Sequence, residues 1–309
     1  MGKLESAAAP ISKPIVERPY SEPALYLGTS AFTAAGWAGT FYPPGMAPKQ
    51  YLSHYATKFR TVEVDSTYYG TPSASTVTAW YEKTSPDFVF AAKVPQIITH
   101  EKVLVDCEPE FDEFIGRMDL LHEKLGPLLF QFPHFDKFAF KNAHEFLPRL
   151  RAFLKRSREM SPAAKFVVEI RNKSWLDARF ADLLREFNVA LALTDTSFLP
   201  RPWELPGQLV GPLIGKQRDE LPSDLKKDQF DLVTADFAYV RWLGDRKAIE
   251  AQTTTWDKTV LDRRDDLLQW VKIFRELVKR NLTVYAYANN HYAGNGPGTV
   301  KLFWDAWKT

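Results

Sequence analysis

The chain has 309 residues, 45% hydrophobic and 25% charged, and its 40 Lys and Arg against 38 Asp and Glu give a formal net charge of +2. That length admits two domains or one (β/α)8 barrel of about 250 residues with additions. The near-neutral balance excludes a nonspecific nucleic-acid or membrane-surface binder, which needs a basic excess or stripe.

No apolar run approaches the length of a membrane span, so no membrane partner is expected. A single cysteine, Cys107, excludes an internal disulfide framework and fits a cytoplasmic location. Residues 1–24, rich in Ala, Pro, Ser and Glu, read as a flexible tail preceding one domain over residues 25–309.

The domain opens on a strand at residues 25–30, a loop rich in Gly and Trp, and a helix with Tyr51, Leu52, Tyr55 and Phe59 on one face. Residues 61–65 form the second strand, followed by a helix marked by Val77, Trp80 and Tyr81. The third strand, residues 88–93, leads to a helix carrying Phe111, Phe114, Ile115, Met118 and Leu121. Residues 127–131 are the fourth, with Phe146, Leu150 and Phe153 on the helix that follows.

Residues 166–171 alternate with period two, Phe166, Val168 and Ile170 on one parity and Val167, Glu169 and Arg171 on the other, which is a strand pattern. Ser174 then reads as the cap of a helix with Trp175, Phe180, Leu183, Leu184 and Phe187. The sixth strand is residues 190–195. Residues 196–237 hold five prolines and exceed an ordinary barrel loop, reading either as a lid or as rim packing. Strands at 238–242 and 283–289 and two further helices complete the chain.

Eight strand–helix alternations predict an α/β fold, a (β/α)8 TIM barrel, over an open doubly wound sheet. The Gly-x-Gly turn of a dinucleotide fold is missing after the first strand, which further weakens the open-sheet reading; no redox cofactor is expected.

Taking the last inward residue of each strand gives Thr29, Asp65, Lys93, Gln131, Arg171, Asp195, Arg241 and Asn289. In such barrels the carboxyl ends of the strands form the catalytic face. Glu63 and Glu169 lie one pleat deeper than Asp65 and Arg171. This pattern admits an internal salt-bridge network, or a site in which cations hold an anion or oxyanion while carboxylates move protons.

The ordered blocks Gly28-Thr29-Ser30, Trp37 through Pro43, Val62 through Tyr69, Lys93 with Thr99-His100, Leu129-Phe130-Gln131, Glu169-x-Arg171 with Ser174-Trp175, Tyr239-Val240-Arg241 and Tyr287-x-Asn289-Asn290 resemble the YecE-like proteins, the domain-of-unknown-function 72 family. The resemblance spans roughly residues 25–308. It implies a TIM barrel, supplies no reaction, and singles out Glu63, Lys93, His100, Gln131, Glu169, Arg171, Asp195, Arg241, Asn289 and Asn290. Where many relatives have Asn, His and a Gly-Trp pair, this chain has Asp65, Asn172 and Ala31-Phe32. The resemblance therefore carries no essential role to Asp65 or Asn172.

The functional expectation is an enzyme acting on a small anionic, phosphorylated or nucleotide-like substrate, hydrolysis being favoured over isomerisation because the acids are paired. Glu63, Glu169, Asp195 and His100 are the catalytic candidates. Lys93, Gln131, Arg171, Arg241, Asn289, Asn290, Tyr69 and Trp175 are the substrate-binding candidates. A divalent metal on the carboxylates is a secondary reading, disfavoured by the interleaved cations. The glycine-rich turn at 289–299 reads either as a phosphate cradle or as a plain connection. The alternatives to an enzyme are a nucleic-acid-processing or -binding protein and a non-catalytic small-molecule binder.

Overall fold

A computed structural model describes residues 18–204 and 231–309. Eight strands, all parallel to their neighbours, form one sheet in the order β1-β8-β7-β6-β5-β4-β3-β2. They are β1 (Leu25–Thr29), β2 (Thr61–Val64), β3 (Val89–Lys93), β4 (Leu125–Gln131), β5 (Phe166–Glu169), β6 (Ala190–Thr196), β7 (Phe237–Gly244) and β8 (Thr283–Ala288). Between them run α1 (Tyr51–Tyr55), α2 (Ala74–Glu82), α3 (Glu108–Met118), α4 (Ala143–Met160), α5 (Ala178–Glu186), α6 (Arg246–Glu250) and α7 (Arg264–Lys279). Two helices, α8 (Asn290–Ala293) and α9 (Gly296–Trp307), follow β8. The result is the expected TIM barrel, nearly closed.

Two cores follow from strand parity. Inside the barrel, Tyr239, Phe237, Tyr285 and Tyr287 from β7 and β8 pack against Ala91, Ala190, Ala192, Leu129 and Val167. The bulky rings take up space that small residues leave, Ala192 on the neighbouring β6 being in register with Tyr239, because a barrel interior is filled by side chains. Outward residues such as Leu27, Val64, Phe130, Val168, Val240 and Trp242 join the helices in the larger core.

The barrel seam between β1 and β2 is closed by a side chain. The Tyr55 hydroxyl accepts from Thr29 N at 2.9 Å and donates to Thr61 O at 3.1 Å. Gly28 permits this approach, since a Cβ there would sit 2.3 Å from Thr61 O.

Three expectations need correction. The tail does not run to residue 24: Arg18 is buried against Asp87, Ser85 and Ala56 O, and Tyr20 stacks on Phe59. The helix after β5 starts later than Ser174. Residues 173–175 form a separate short turn, and Asp177 caps α5 by accepting from Phe180 N. Finally, the inward parity assigned to Thr29 and Asp195 is reversed. Thr29 is paired with Ala288, on the outer face of β8, and Asp195 with Trp242, which packs among the helices. Most of the expected lid, at 205–230, lies outside the described residues, as does the start of the tail.

Candidate active site at the carboxyl ends of the strands

Glu63 on β2, Glu169 on β5 and Arg241 on β7 meet inside the barrel, each no more than 2% exposed. Arg241 Nε and Nη2 donate to Glu63 Oε1 at 3.2 and 2.7 Å, and Nη1 donates to Glu169 Oε2 at 2.7 Å. The Tyr239 hydroxyl, one pleat below Arg241, donates to Glu63 Oε2 at 2.6 Å. Both oxygens of Glu63 are thus taken, whereas Glu169 keeps one oxygen, Oε1, without a hydrogen bond.

A second tier lies toward the loops. Lys93 Nζ stands 3.4 Å from Asp65 Oδ1 and 4.0 Å from the centroid of the Tyr68 ring. Arg171 Nε is 3.6 Å from Glu169 Oε1, longer than a hydrogen bond. The side chains of Asp65 and Arg171 are about one third exposed, at 37% and 34%, so the cluster reaches solvent through them. Glu63, Asp65 and Glu169 balance Lys93, Arg171 and Arg241, leaving a cluster with no formal charge.

Burial pulls the Lys93 ammonium below its ordinary range; Asp65 opposes that fall and Arg241 adds to it. Arg241 is raised above its ordinary range: burial works against its charge, but Glu63 and Glu169 outweigh it. His100 falls to about 4 through burial and the nearby charges of Lys93 and Arg171. Its ring meets the Tyr68 ring edge-on at 5.1 Å, and Nδ1 is 2.8 Å from Thr99 Oγ1. His100 sits on a single wide turn in which Lys102 N donates back to Ile97 O, a five-residue span frequent at functional sites.

The sequence-selected residues divide accordingly. Glu63, Asp65, Lys93, Glu169, Arg171 and Arg241 come together, with His100 beside them. Gln131 pairs with Glu169 across the β4–β5 ladder, and its amide donates to Phe132 O.

Asp195 does not belong to the cluster. It faces the helices and accepts from Trp270 Nε1, the Tyr292 hydroxyl and Arg201 Nε at 2.8, 2.9 and 2.9 Å. Trp175 is core, stacked on Phe135 and Phe146. Tyr69 is 79% exposed, its ring edge-on to Tyr68 at 5.2 Å. Asn289 caps α8 by accepting from His291 N, and Asn290 Oδ1 accepts from Gly296 N.

The phosphate-cradle reading of the glycine turn is overturned. Gly294 N donates to Asn290 O, Gly296 N to Asn290 Oδ1 and Gly298 N to Asn295 Oδ1. Its backbone donors are spent internally.

Sequence reasoning missed Tyr239 as a partner of Glu63, although its place two residues before Arg241 fixes its parity. It also missed the hydroxyls of Ser30 and Thr196, each buried at a strand end without a hydrogen bond. Ser30 follows the true phase of β1, which Gly28 obscures. Among the described residues, no group of three or more His, Cys, Asp or Glu is arranged to hold a metal ion. Arg241 and Lys93 lie between the carboxylates instead. No described helix is long and apolar enough to cross a membrane.

The model of the family described as "Protein of unknown function DUF72" matches residues 26–309. The chain belongs to the DUF72 family. Within DUF72, UPF0759 protein YecE of Escherichia coli is 37% identical over 82 residues, 26% of this chain and 30% of YecE. UPF0759 protein YunF of Bacillus subtilis is 28% identical over 171 residues, 53% of this chain and 56% of YunF. The chain thus spans about a third and just over half of the lengths of these two relatives. A crystal structure of a DUF72 family protein from Thermotoga maritima matches 91% of this chain and 97% of its own, with a TM-score of 0.62 at 24% identity. That likeness shows the shared fold.

Proposed function

We propose that this DUF72 chain is an acid–base enzyme acting on a small anionic substrate at the carboxyl ends of its strands. The observation that carries the reading is where its unmet polar atoms fall. Among the described residues, eleven buried side-chain atoms lack a hydrogen bond, and five of them are Ser30 Oγ, Asp65 Oδ1, Glu169 Oε1, Arg171 Nε and Thr196 Oγ1. All five belong to residues at the carboxyl ends of strands. Asp65 Oδ1, Glu169 Oε1 and Arg171 Nε have ion-pair neighbours at 3.4–3.6 Å but no hydrogen bond, and a buried polar group without a hydrogen bond is costly, so such a concentration suits a surface that a ligand completes.

In this reading Glu169 moves the proton, since Arg241 holds Oε2 and Oε1 remains for the substrate. Lys93 and Arg171 hold the anionic group or developing oxyanion. Glu63, Tyr239 and Arg241 position Glu169, so Arg241 is not itself an anion binder. His100, neutral near pH 7 with its value near 4, serves as a hydrogen-bonding group rather than a proton carrier.

Because Glu63 is fully engaged, the paired-acid argument for hydrolysis weakens. Proton transfer beside a carbonyl is better supported. On an α-hydroxy carbonyl, Glu169 removes the C–H proton, the electron pair moves into the carbonyl to give an enediolate held by the cations, the hydroxyl proton passes to the former carbonyl oxygen, and Glu169 returns its proton to the former carbonyl carbon as the second oxygen becomes the new carbonyl.

The rim supports a small substrate over nucleic acid. Lys137 and Lys141 share a loop with Asp136, Arg171 and Lys173 with Asp177, and Lys102 with Glu101 and Asp106. No stripe of one sign results among the described residues. The lone cysteine, Cys107, is buried and unpaired, which supports a reducing compartment such as the cytoplasm.

The test is incorporation of solvent deuterium into carbonyl and hydroxy acids incubated with the protein. Incorporation that disappears in Glu169→Gln supports proton transfer; incorporation unchanged by that substitution sinks it.

A further inference from the structure

The unmet atoms at the mouth are of both hydrogen-bonding kinds, and this constrains the ligand more tightly than charge does. Glu169 Oε1 and Asp65 Oδ1 are acceptors that meet cations only at ion-pair distance, Arg171 Nε at 3.6 Å and Lys93 Nζ at 3.4 Å, without a hydrogen bond. Arg171 Nε is a donor without a hydrogen bond, and Lys93 Nζ lies 3.4 Å from Asp65 Oδ1 and 4.0 Å from the centroid of the Tyr68 ring. The acceptors and donors interleave, since Arg171 Nε lies 3.6 Å from Glu169 Oε1.

A simple anion would satisfy Lys93 and Arg171 and leave both carboxylate oxygens bare, or repel them. An amine would satisfy the carboxylates but stand beside three cations. A hydroxyl next to an anionic group meets both demands at once, because it donates to a carboxylate without bringing charge. At the edge of the mouth the ring of Phe198, itself 46% exposed, stands 5.0 Å from the Arg171 guanidinium carbon. It presents an apolar face of the kind that packs against the C–H side of a sugar.

We infer that the substrate is a compact polyhydroxylated oxyanion, a sugar acid or a sugar phosphate, whose anionic group engages Lys93 and Arg171 and whose hydroxyls donate to Glu169 Oε1 and Asp65 Oδ1. The inference rests on the acid–base reading of the same site and narrows what that site accepts.

Titration calorimetry on the full chain tests it with five probes: gluconate, glucose 6-phosphate, hexanoate, inorganic phosphate and sorbitol. One of the first two binds at least about tenfold more tightly than the other three, the scale of one charge-assisted hydrogen bond. Which of the two wins separates a carboxylate from a phosphate ligand. Equal affinity for hexanoate or sorbitol overturns the proposal, as does binding by none of the five.

Arg171→Gln, at a partly exposed position, removes the preference for the charged probes over sorbitol. Glu169→Gln removes the preference for gluconate over hexanoate, with thermal melting of each variant confirming a folded protein. Binding of gluconate without deuterium exchange sinks the enzyme reading and keeps the ligand class. Exchange into an unhydroxylated keto acid as fast as into a sugar acid does the reverse.

Discussion

Arg241 Nη1 donates to Glu169 Oε2 at 2.7 Å, while Glu169 Oε1, on a residue 1% exposed, has no hydrogen bond. One guanidinium therefore fixes the orientation of a carboxylate and leaves its second oxygen without a hydrogen bond, 3.6 Å from Arg171 Nε. The same guanidinium is tied through Nε and Nη2 to Glu63, whose remaining oxygen is held by Tyr239. The chain from Tyr239 through Glu63 and Arg241 ends on Glu169. Each side-chain nitrogen and oxygen of Tyr239, Glu63 and Arg241 has a hydrogen bond, whereas Glu169 Oε1 has only the longer ion pair to Arg171 Nε at 3.6 Å, and that asymmetry separates this arrangement from a purely structural ion network.

Glu169→Gln tests this second oxygen directly. The amide oxygen can still accept from Arg241 Nη1, so the chain and the fold persist. The proton-accepting oxygen is gone. Turnover of any hydroxylated anion found to exchange deuterium falls about 10²–10⁴-fold, the usual contribution of a positioned acid–base group. The thermal midpoint stays near that of the wild type, and a large fall would reassign Glu169 to stability.

Arg241→Met addresses the opposite end of the argument. It leaves Glu63 and Glu169 buried at 0% and 1% exposure without their shared cation. Removing one partner of a buried ion cluster costs about 3–5 kcal/mol. Urea unfolding at pH 7 measures this loss. Adding Glu63→Gln to the variant recovers part of the stability by removing one stranded charge, and no recovery would mean the cost arises elsewhere.

Much of this site was legible from alternation alone, because Glu63, Lys93, Glu169 and Arg241 each lie at or near the end of a strand whose apolar residues set the phase. The reading failed where phase had no marker. In β6 every residue is buried, since both faces of a parallel sheet are covered, so Ala-Leu-Ala-Leu carries no polar contrast. The interior needs the alanines there because Tyr239, in register with Ala192, and Tyr285 and Tyr287 fill the space beside them. The polar end was assigned to Asp195, whereas Thr194, in register with Arg241, carries the inward parity. In β1 the inward residue is Gly28, which has no side chain to declare its face. Trp175 failed for another reason: whether an aromatic after a strand faces the mouth or the helices depends on turn geometry, and here Phe135 and Phe146 claim it.

Asp195→Asn separates fold from function in the same terms. Asp195 accepts three hydrogen bonds, from Arg201 on the segment leaving β6, from Trp270 on α7 and from Tyr292 on α8. The neutral amide keeps one acceptor oxygen and weakens the bond to Arg201. A loss of about 1.5–3 kcal/mol is expected, the range for a hydrogen bond to a charged group. Ligand affinity at the barrel mouth remains within about twofold of the wild type, less than the effect of one hydrogen bond. Calorimetric titration beside urea unfolding checks both halves, and a large loss of affinity with stability intact would return Asp195 to the site.

His100 supplies a pH signature. Its value drops from the usual 6.5 to about 4, first through burial and then through Lys93 and Arg171. Because the folded state resists protonation more than the unfolded chain, the sign is fixed. The contribution of His100 to stability is complete above about 6.5. It is lost progressively as pH falls toward 4, where the unfolded imidazole binds a proton that the folded one refuses. Stability measured by urea unfolding at pH 7 and pH 4.5 therefore falls more in the wild type than in His100→Gln, which cannot titrate. Proton NMR of the imidazole ring gives the second check, since the ring should remain neutral at pH 5. A midpoint near 6.5, or an identical pH dependence in the variant, would remove His100 from the influence of Lys93 and Arg171 and leave it a surface residue.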